Sequence, residues 1–147
     1  MKAHSPGEQD YRVWWLLAQV RHLMHQAREN ELNQYGITAI QAAILLIIDT
    51  IDGKATTSEI ARWFLRKPHT IGALLNRMEK QGLITKTKDI NNHNRVTASL
   101  TEKGRQCYSQ SLKRESIREI MSCLSGEERQ QLESSLDRLR DMAFKTH

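Results

Sequence analysis

The chain has 147 residues, 27% of them charged, with a formal net charge of +5. That length suits one domain with helical extensions and a real core; the longest apolar run, Ala42–Ile48, is too short to cross a bilayer, and the polar start MKAHSPGEQD has no apolar signal core. Cys107 and Cys123 have neither CxxC nor metal-finger spacing, so a cytoplasmic protein with reduced structural thiols is expected.

Residues 1–9, polar and carrying Ser5-Pro6-Gly7, read as irregular. A long helix is predicted from Asp10 to about Asn33. Val13, Leu16, Leu17, Val20, Leu23, Met24 and Ala27 give it a broad apolar stripe, and Trp14 and Trp15 add area near its start. Gly36 ends the next turn. Thr38-Ala39-Ile40-Gln41 has capping-box form for a second helix, whose Ala42–Ile48 run should be buried on most sides and which Asp52-Gly53 stops.

Thr56-Thr57-Ser58-Glu59 is a second capping box, with Thr56 as N-cap. It opens a two-turn helix with Ile60, Ala61, Phe64 and Leu65 as the predicted inner face. Arg66 and Lys67 occupy the turn that follows. In the helix predicted over 68–81, Ile71, Leu74, Leu75 and Met78 fall at i, i+3, i+4 and i+7. Pro68 suits its first turn, and Gly82 suits the left-handed position past its end. The opposite face carries His69, Thr70, Ala73, Asn76, Arg77 and Lys80, and Gly72 would let the backbone approach a ligand closely.

Two strands follow. Leu83–Lys88 has Lys86 and Lys88 on its polar side, and Val96, Ala98 and Leu100 alternate with Thr97 and Ser99. The segment 89–95 between them is polar and rich in turn formers. Thr101-Glu102-Lys103-Gly104 then leads into a helix predicted to reach about Leu124, with Tyr108, Leu112, Ile117, Ile120, Met121 and Leu124 apolar. Ser125-Gly126-Glu127-Glu128 is a third capping box, and the last helix carries Leu132, Leu136, Leu139, Met142 and Ala143.

Helix, turn, helix and hairpin in that order make a helix-turn-helix with a wing. The charge supports it: residues 57–105 hold 10 basic and 4 acidic groups, net +6, while 1–56 hold 5 and 6 and 106–147 hold 7 and 7. A basic centre between near-neutral ends fits a polyanion, although charge alone would equally suit RNA or an acidic membrane face. The helix over 68–81 can enter a major groove, and a hairpin tip with His93, Asn94 and Arg95 suits a minor groove. The long terminal helices carry apolar stripes that need cover. A second copy of the chain would provide it, and would set two recognition helices about 34 Å apart on a near-palindromic site. The other solution is that these helices fold back on their own subunit.

The order and residues resemble the MarR family of bacterial transcriptional regulators over nearly the whole chain. The residues that carry the resemblance are Thr70, Leu74, Arg77, Met78 and Glu79, then Gly82-Leu83-Ile84, then Leu100-Thr101-Glu102-Lys103-Gly104. The resemblance implies a mainly α fold with a small β-hairpin wing, as a single domain over 1–147. Segments 10–35 and 101–147 would form the dimer lobe and 38–100 the DNA-binding lobe. It implies a homodimeric repressor of a double-stranded DNA operator, with base-reading roles on His69, Thr70, Gly72, Ala73, Asn76 and Arg77. Phosphate and wing contacts would fall to Arg66, Lys67, Lys86, Lys88, His93, Asn94 and Arg95, within a wing spanning 86–97. The family often has an Asp and then an Arg at set distances before the Leu-Thr pair. This chain has Asn92 and Asn94 there, with Arg95 one place later.

Family members commonly respond to small molecules or to thiol oxidation. The candidate effector residues here are Trp14, Trp15, Arg21, His22 and Met24. His22 and His25 lie at i, i+3, but two histidines fall short of a zinc site, and no metal or cofactor is expected. Cys107 and Cys123 lie on helices expected to pack, which disfavours thiol sensing. The sequence has no phosphate loop, nucleophile elbow or HExxH, so no enzyme and no membrane partner is expected. The alternative to the DNA-binding regulator is a winged-helix module that binds RNA or a protein.

Overall fold

The computed structural model describes residues 6–88, 91 and 95–146. In chain order the elements are α1 (Pro6–Leu32), a 3-10 turn (Asn33–Tyr35), α2 (Ala39–Thr50), β1 (Lys54–Thr56), α3 (Thr57–Phe64), α4 (Pro68–Lys80), β2 (Ile84–Lys88), β3 (Val96–Leu100), α5 (Glu102–Ser111), α6 (Glu115–Met121) and α7 (Gly126–Thr146). This is the mainly α, winged helix-turn-helix class expected from the sequence. None of these helices alone is long and apolar enough to cross a membrane.

The chain forms two compact units, 28–114 and 1–27 with 115–147. Among the described residues, every buried apolar side chain lies in the first of these. Leu32, Ile44, Leu45, Ile48, Ile60, Ile71, Leu75, Met78, Leu83 and Ile84 are its largest fully buried side chains. The Ala42–Ile48 run is buried except at Ala43 and Leu46, as its near-continuous apolar sequence requires.

All three capping boxes form. Thr38 Oγ1 accepts from Gln41 N while Gln41 Oε1 accepts from Thr38 N. Thr56 and Glu59 repeat the exchange at 3.1 and 3.0 Å, as do Ser125 and Glu128. The Thr56 N–H, and then its hydroxyl, hold the Glu59 carboxyl below the usual carboxylate range, with smaller help from the Arg62 and Arg95 charges. The stabilisation from a lowered folded-state pKa is complete above the unfolded value, about 4.3. It is lost as pH falls through the lower folded value. Urea unfolding between pH 7 and 3 should therefore show wild type losing stability more steeply than Glu59→Gln. Parallel losses would show that the ionised box contributes nothing.

The helices and the turns after them depart from expectation in four places. The first helix starts at Pro6, so residues 6–9 are helical; the missing apolar pattern there hid a solvated first turn. Leu65 is not on the inner face of α3. It caps that helix in the left-handed region (φ 54°) and is 64% exposed, because the chain must turn there to reach Pro68. The helix predicted to Leu124 breaks after Ser111. The Ser111 carbonyl, which would continue the ladder, accepts Arg28 Nη2 at 2.9 Å; the last bonds tighten to i→i−3, and Arg114 turns left-handed (φ 49°). Cys123, expected to pack, is exposed in the turn after α6, whereas Cys107 is buried in α5.

The sheet has the order β1-β3-β2, all antiparallel. β1 is too short to show a period and exists through its pairing, with Ala55 opposite Ala98. In the β2–β3 register Ile84, Lys86 and Lys88 face Leu100, Ala98 and Val96. Successive strand residues alternate faces, so Lys86 and Lys88 share the face of buried Ile84 and not a separate polar side. That face runs out of the core towards α4, where the half-buried Lys86 finds polar partners.

Candidate nucleic-acid interface

α4 presents what its sequence period requires. Ile71, Leu75 and Met78 are buried against the core of unit 28–114. On the outer side His69, Ala73, Asn76, Arg77 and Lys80 are exposed, and Thr70 and Gly72 are half-buried. Pro68 sits in the first turn with Lys67 as N-cap, and the Lys67 carbonyl accepts from Thr70 N at 3.1 Å. Arg66 and Lys67 are exposed in the preceding turn. That turn is closed by the Arg66 N–H bond back to Ala61 O at 3.0 Å, an arrangement that satisfies the end of α3.

The hairpin is tied to α4. Lys86 N donates to Glu79 Oε2 at 3.1 Å, and Lys86 Nζ donates to Asn76 Oδ1. Asn76 and Glu79 are one turn apart, so one lysine of the wing holds two positions of the helix. Sequence reasoning did not foresee this pairing, because it depends on which face of β2 meets α4. Lys88 and Arg95 are exposed at the two ends of the hairpin arms. His93 and Asn94 lie outside the described residues.

The base of the wing is clamped to α5. Thr101 Oγ1 donates to Gly82 O at 2.5 Å and accepts from Gly104 N at 3.0 Å. Thr101 N donates to Leu83 O at 3.2 Å, and Lys103 Nζ to Gln81 O at 2.8 Å. Gly82, with φ 78°, supplies the left-handed turn between α4 and β2. The Gly82-Leu83 and Leu100–Gly104 segments, remote in sequence, are thus one hydrogen-bonded joint.

Electrostatics separate the two units. Unit 28–114 holds 14 Lys and Arg against 8 Asp and Glu, net +6; the other holds 8 against 9, net −1. The outer face of α4 and the wing therefore belong to a unit that attracts polyanions.

The sequence model of the MarR family matches residues 35–93, from the last residue of the 3-10 turn to the segment that follows β2. The ligand-free organohalide-sensing regulator RdhR-CbdbA1625 superposes with a TM-score of 0.86 at 29% identity, over 98% of this chain and 88% of that one. Residues 35–93 are thus similar to the MarR family, and the chain shares the winged helix-turn-helix fold of solved MarR-family regulators. The MepR–DNA complex of S. aureus is similar to this chain with a TM-score of 0.80 at 27% identity, over 88% and 96% of the two chains. A mutant E. coli MarR in complex with operator DNA shares the fold, with a TM-score of 0.81 at 19% identity over 92% and 99%. No curated protein matches in sequence.

The residues singled out for effector binding are not gathered in one place. An open groove of about 800 Å³ in the unit 1–27 with 115–147 is lined by Val13, Leu16, Leu17, Val20, Met121 and Leu132, among others. Met24 lines it, whereas Trp14, Trp15, Arg21 and His22 do not. The Trp14 ring is tilted against those of Tyr11 and Trp15, with centroids 5.4 and 6.2 Å apart. Arg21 Nη1 and His25 Nδ1 are 3.2 Å apart.

Proposed function

We propose that this chain works as a homodimeric repressor that reads a near-palindromic operator, with α4 in the major groove and the hairpin at the minor groove. The observation that carries the DNA reading is the polar outer face of α4, joined through Lys86 to the wing inside the unit of net charge +6. In this reading His69, Thr70, Gly72, Ala73, Asn76 and Arg77 face base edges. Arg66, Lys67, Lys88 and Arg95 meet phosphates, and His93 and Asn94, which precede Arg95 in the sequence, are assigned to the wing contact with the minor groove. Lys86 steadies Asn76 and adds positive charge.

Dimerisation is supported by what the other unit lacks. Among the described residues of 1–27 and 115–147 none is fully buried. Trp14, Trp15, Leu16, Val20, Leu23, Leu139, Met142 and Phe144 are all exposed. Apolar area on this scale marks an interaction surface. A second copy covers it with two-fold symmetry, which also places two α4 helices on successive major grooves. RdhR-CbdbA1625 has a form with 2,4-dichlorophenol bound. A small apolar molecule is accordingly the effector class we assign here.

The test is selection of bound duplexes from random DNA by purified protein, with light scattering of the free protein. A two-fold symmetric site with half-sites one turn apart, bound by a dimer, is expected. Binding without any enriched sequence would defeat the regulator reading and favour RNA or a protein as partner. With that site in hand, Arg95→Ala should lower the salt slope of log K by about two, one phosphate contact in each subunit.

Gly72→Ala separates stability from binding. A Cβ at Gly72 meets nothing within 4 Å, and alanine favours a helix interior over glycine by about 0.8–1 kcal/mol. The variant should be more stable than wild type yet bind its operator about tenfold more weakly, because the added methyl occupies space needed by the DNA. Unchanged affinity would place the backbone at Gly72 away from the duplex.

A further inference from the structure

Among the described residues Gln41 and Ser111 are the buried polar side chains, and Gln41 is only 3% exposed. Burying an amide is costly unless its groups are bonded, and a methionine would fill a similar volume without that cost. Gln41 is bonded at both ends, and the chemistry fixes which end is which. Thr38 N is a donor, so the atom facing it at 3.1 Å must be the Gln41 oxygen. The Gln41 NH2 therefore points the other way, where it donates to Gln81 Oε1 at 2.7 Å. One backbone donor thus sets the orientation of both amides.

Gln81 is the C-cap of α4, and its own N–H returns to Arg77 O at 3.0 Å. Its carbonyl accepts the Lys103 ammonium. The C-terminal end of α4 is thereby held on one side by the start of α2 and on the other by α5. Asn76, Arg77 and Lys80 lie in the last turn and a half, next to this anchor.

We propose that the Gln41–Gln81 hydrogen bond is a positioning link for sequence reading. It fixes the seat of the C-terminal half of α4 on α2, so that Asn76 and Arg77 meet base edges in a single register, while neither glutamine is required to touch DNA. The inference rests on the DNA-reading function proposed above. It predicts a loss of discrimination between sequences, not a loss of general affinity.

The experiment compares wild type with Gln81→Met and Gln81→Glu. Gln81 is exposed, so both variants should fold, and melting curves check this. Gln81→Met removes the acceptor and leaves the Thr38–Gln41 capping box intact. Gln81→Glu keeps an acceptor for the Gln41 NH2. Each protein is titrated with the selected operator and with a scrambled duplex at the same salt, and the readout is the ratio of the two affinities. Gln81→Met should lower that ratio about tenfold, one hydrogen bond being lost in each of two subunits. Its affinity for the scrambled duplex should not change, and Gln81→Glu should restore the ratio.

An unchanged ratio for folded Gln81→Met would overturn the proposal. Equal losses on both duplexes would overturn it too, and would make Gln81 a direct phosphate contact. If wild type itself does not discriminate between the duplexes, the regulator reading fails and this inference fails with it.

Discussion

Gly104→Ala should destabilise the protein by about 3 kcal/mol, the upper end of the usual cost of overpacking. The reason is a contact that cannot relax locally. A Cβ on Gly104 would lie 2.0 Å from Leu83 O and 3.1 Å from Leu83 C, and these are backbone atoms with no rotamer to escape into. Moving Leu83 disturbs its carbonyl bond to Thr101 N and its own N–H bond to Met78 O. It also displaces the Gly82 turn that Thr101 Oγ1 holds. The damage would reach the end of α4 and the start of β2 together. Thermal melting should show Tm lowered by about 10 °C. Gly72→Ala, whose methyl enters open space, is the matched control. A Gly104→Ala protein that melted with wild type would show that α5 can lift off Leu83 without cost.

Arg77→Ala should weaken operator binding by about a hundredfold or more while leaving the fold intact. Arg77 is exposed on the outer face of α4, and the neighbours that make the core, Leu75 and Met78, point the other way. A truncation at such a site changes stability by at most about 0.5 kcal/mol. A bidentate arginine–base contact is worth about 1–3 kcal/mol, and a symmetric dimer loses it twice. Fluorescence anisotropy with the selected operator and a scrambled duplex should show the operator losing most. Wild-type affinity in the variant would mean that the face of α4 towards DNA is misassigned. A drop shared equally by both duplexes would make Arg77 a phosphate contact.

Much of this architecture is written in local chemistry. A helix with period 3.6, a proline in its first turn and a glycine past its end can be read from the short stretch Pro68–Gly82, and α4 follows that reading with Ile71, Leu75 and Met78 buried. Capping boxes are equally local: three residues separate the reciprocal partners, and all three boxes form. The concentration of charge in the middle of the chain is visible without a fold.

What escaped the sequence depends on contacts across the chain. β1 is a strand only because β3 is there to pair with it. The break after Ser111 depends on Arg28, 83 residues earlier, capturing a carbonyl. Lys86 looked like a solvated wing lysine until the β2 register turned it towards Asn76 and Glu79. The Gln41–Gln81 bond spans 40 residues, and no periodicity reports it. By itself the sequence determined the apolar face of α4, the starts of the helices opened by a capping box or by Pro68, and where the positive charge lies, since propensity, capping and composition act over a few residues. Only the tertiary structure decided which of those faces meet, which glycine lacks room for a methyl and which polar side chains bond to one another, since each is set by the approach of segments far apart in the chain.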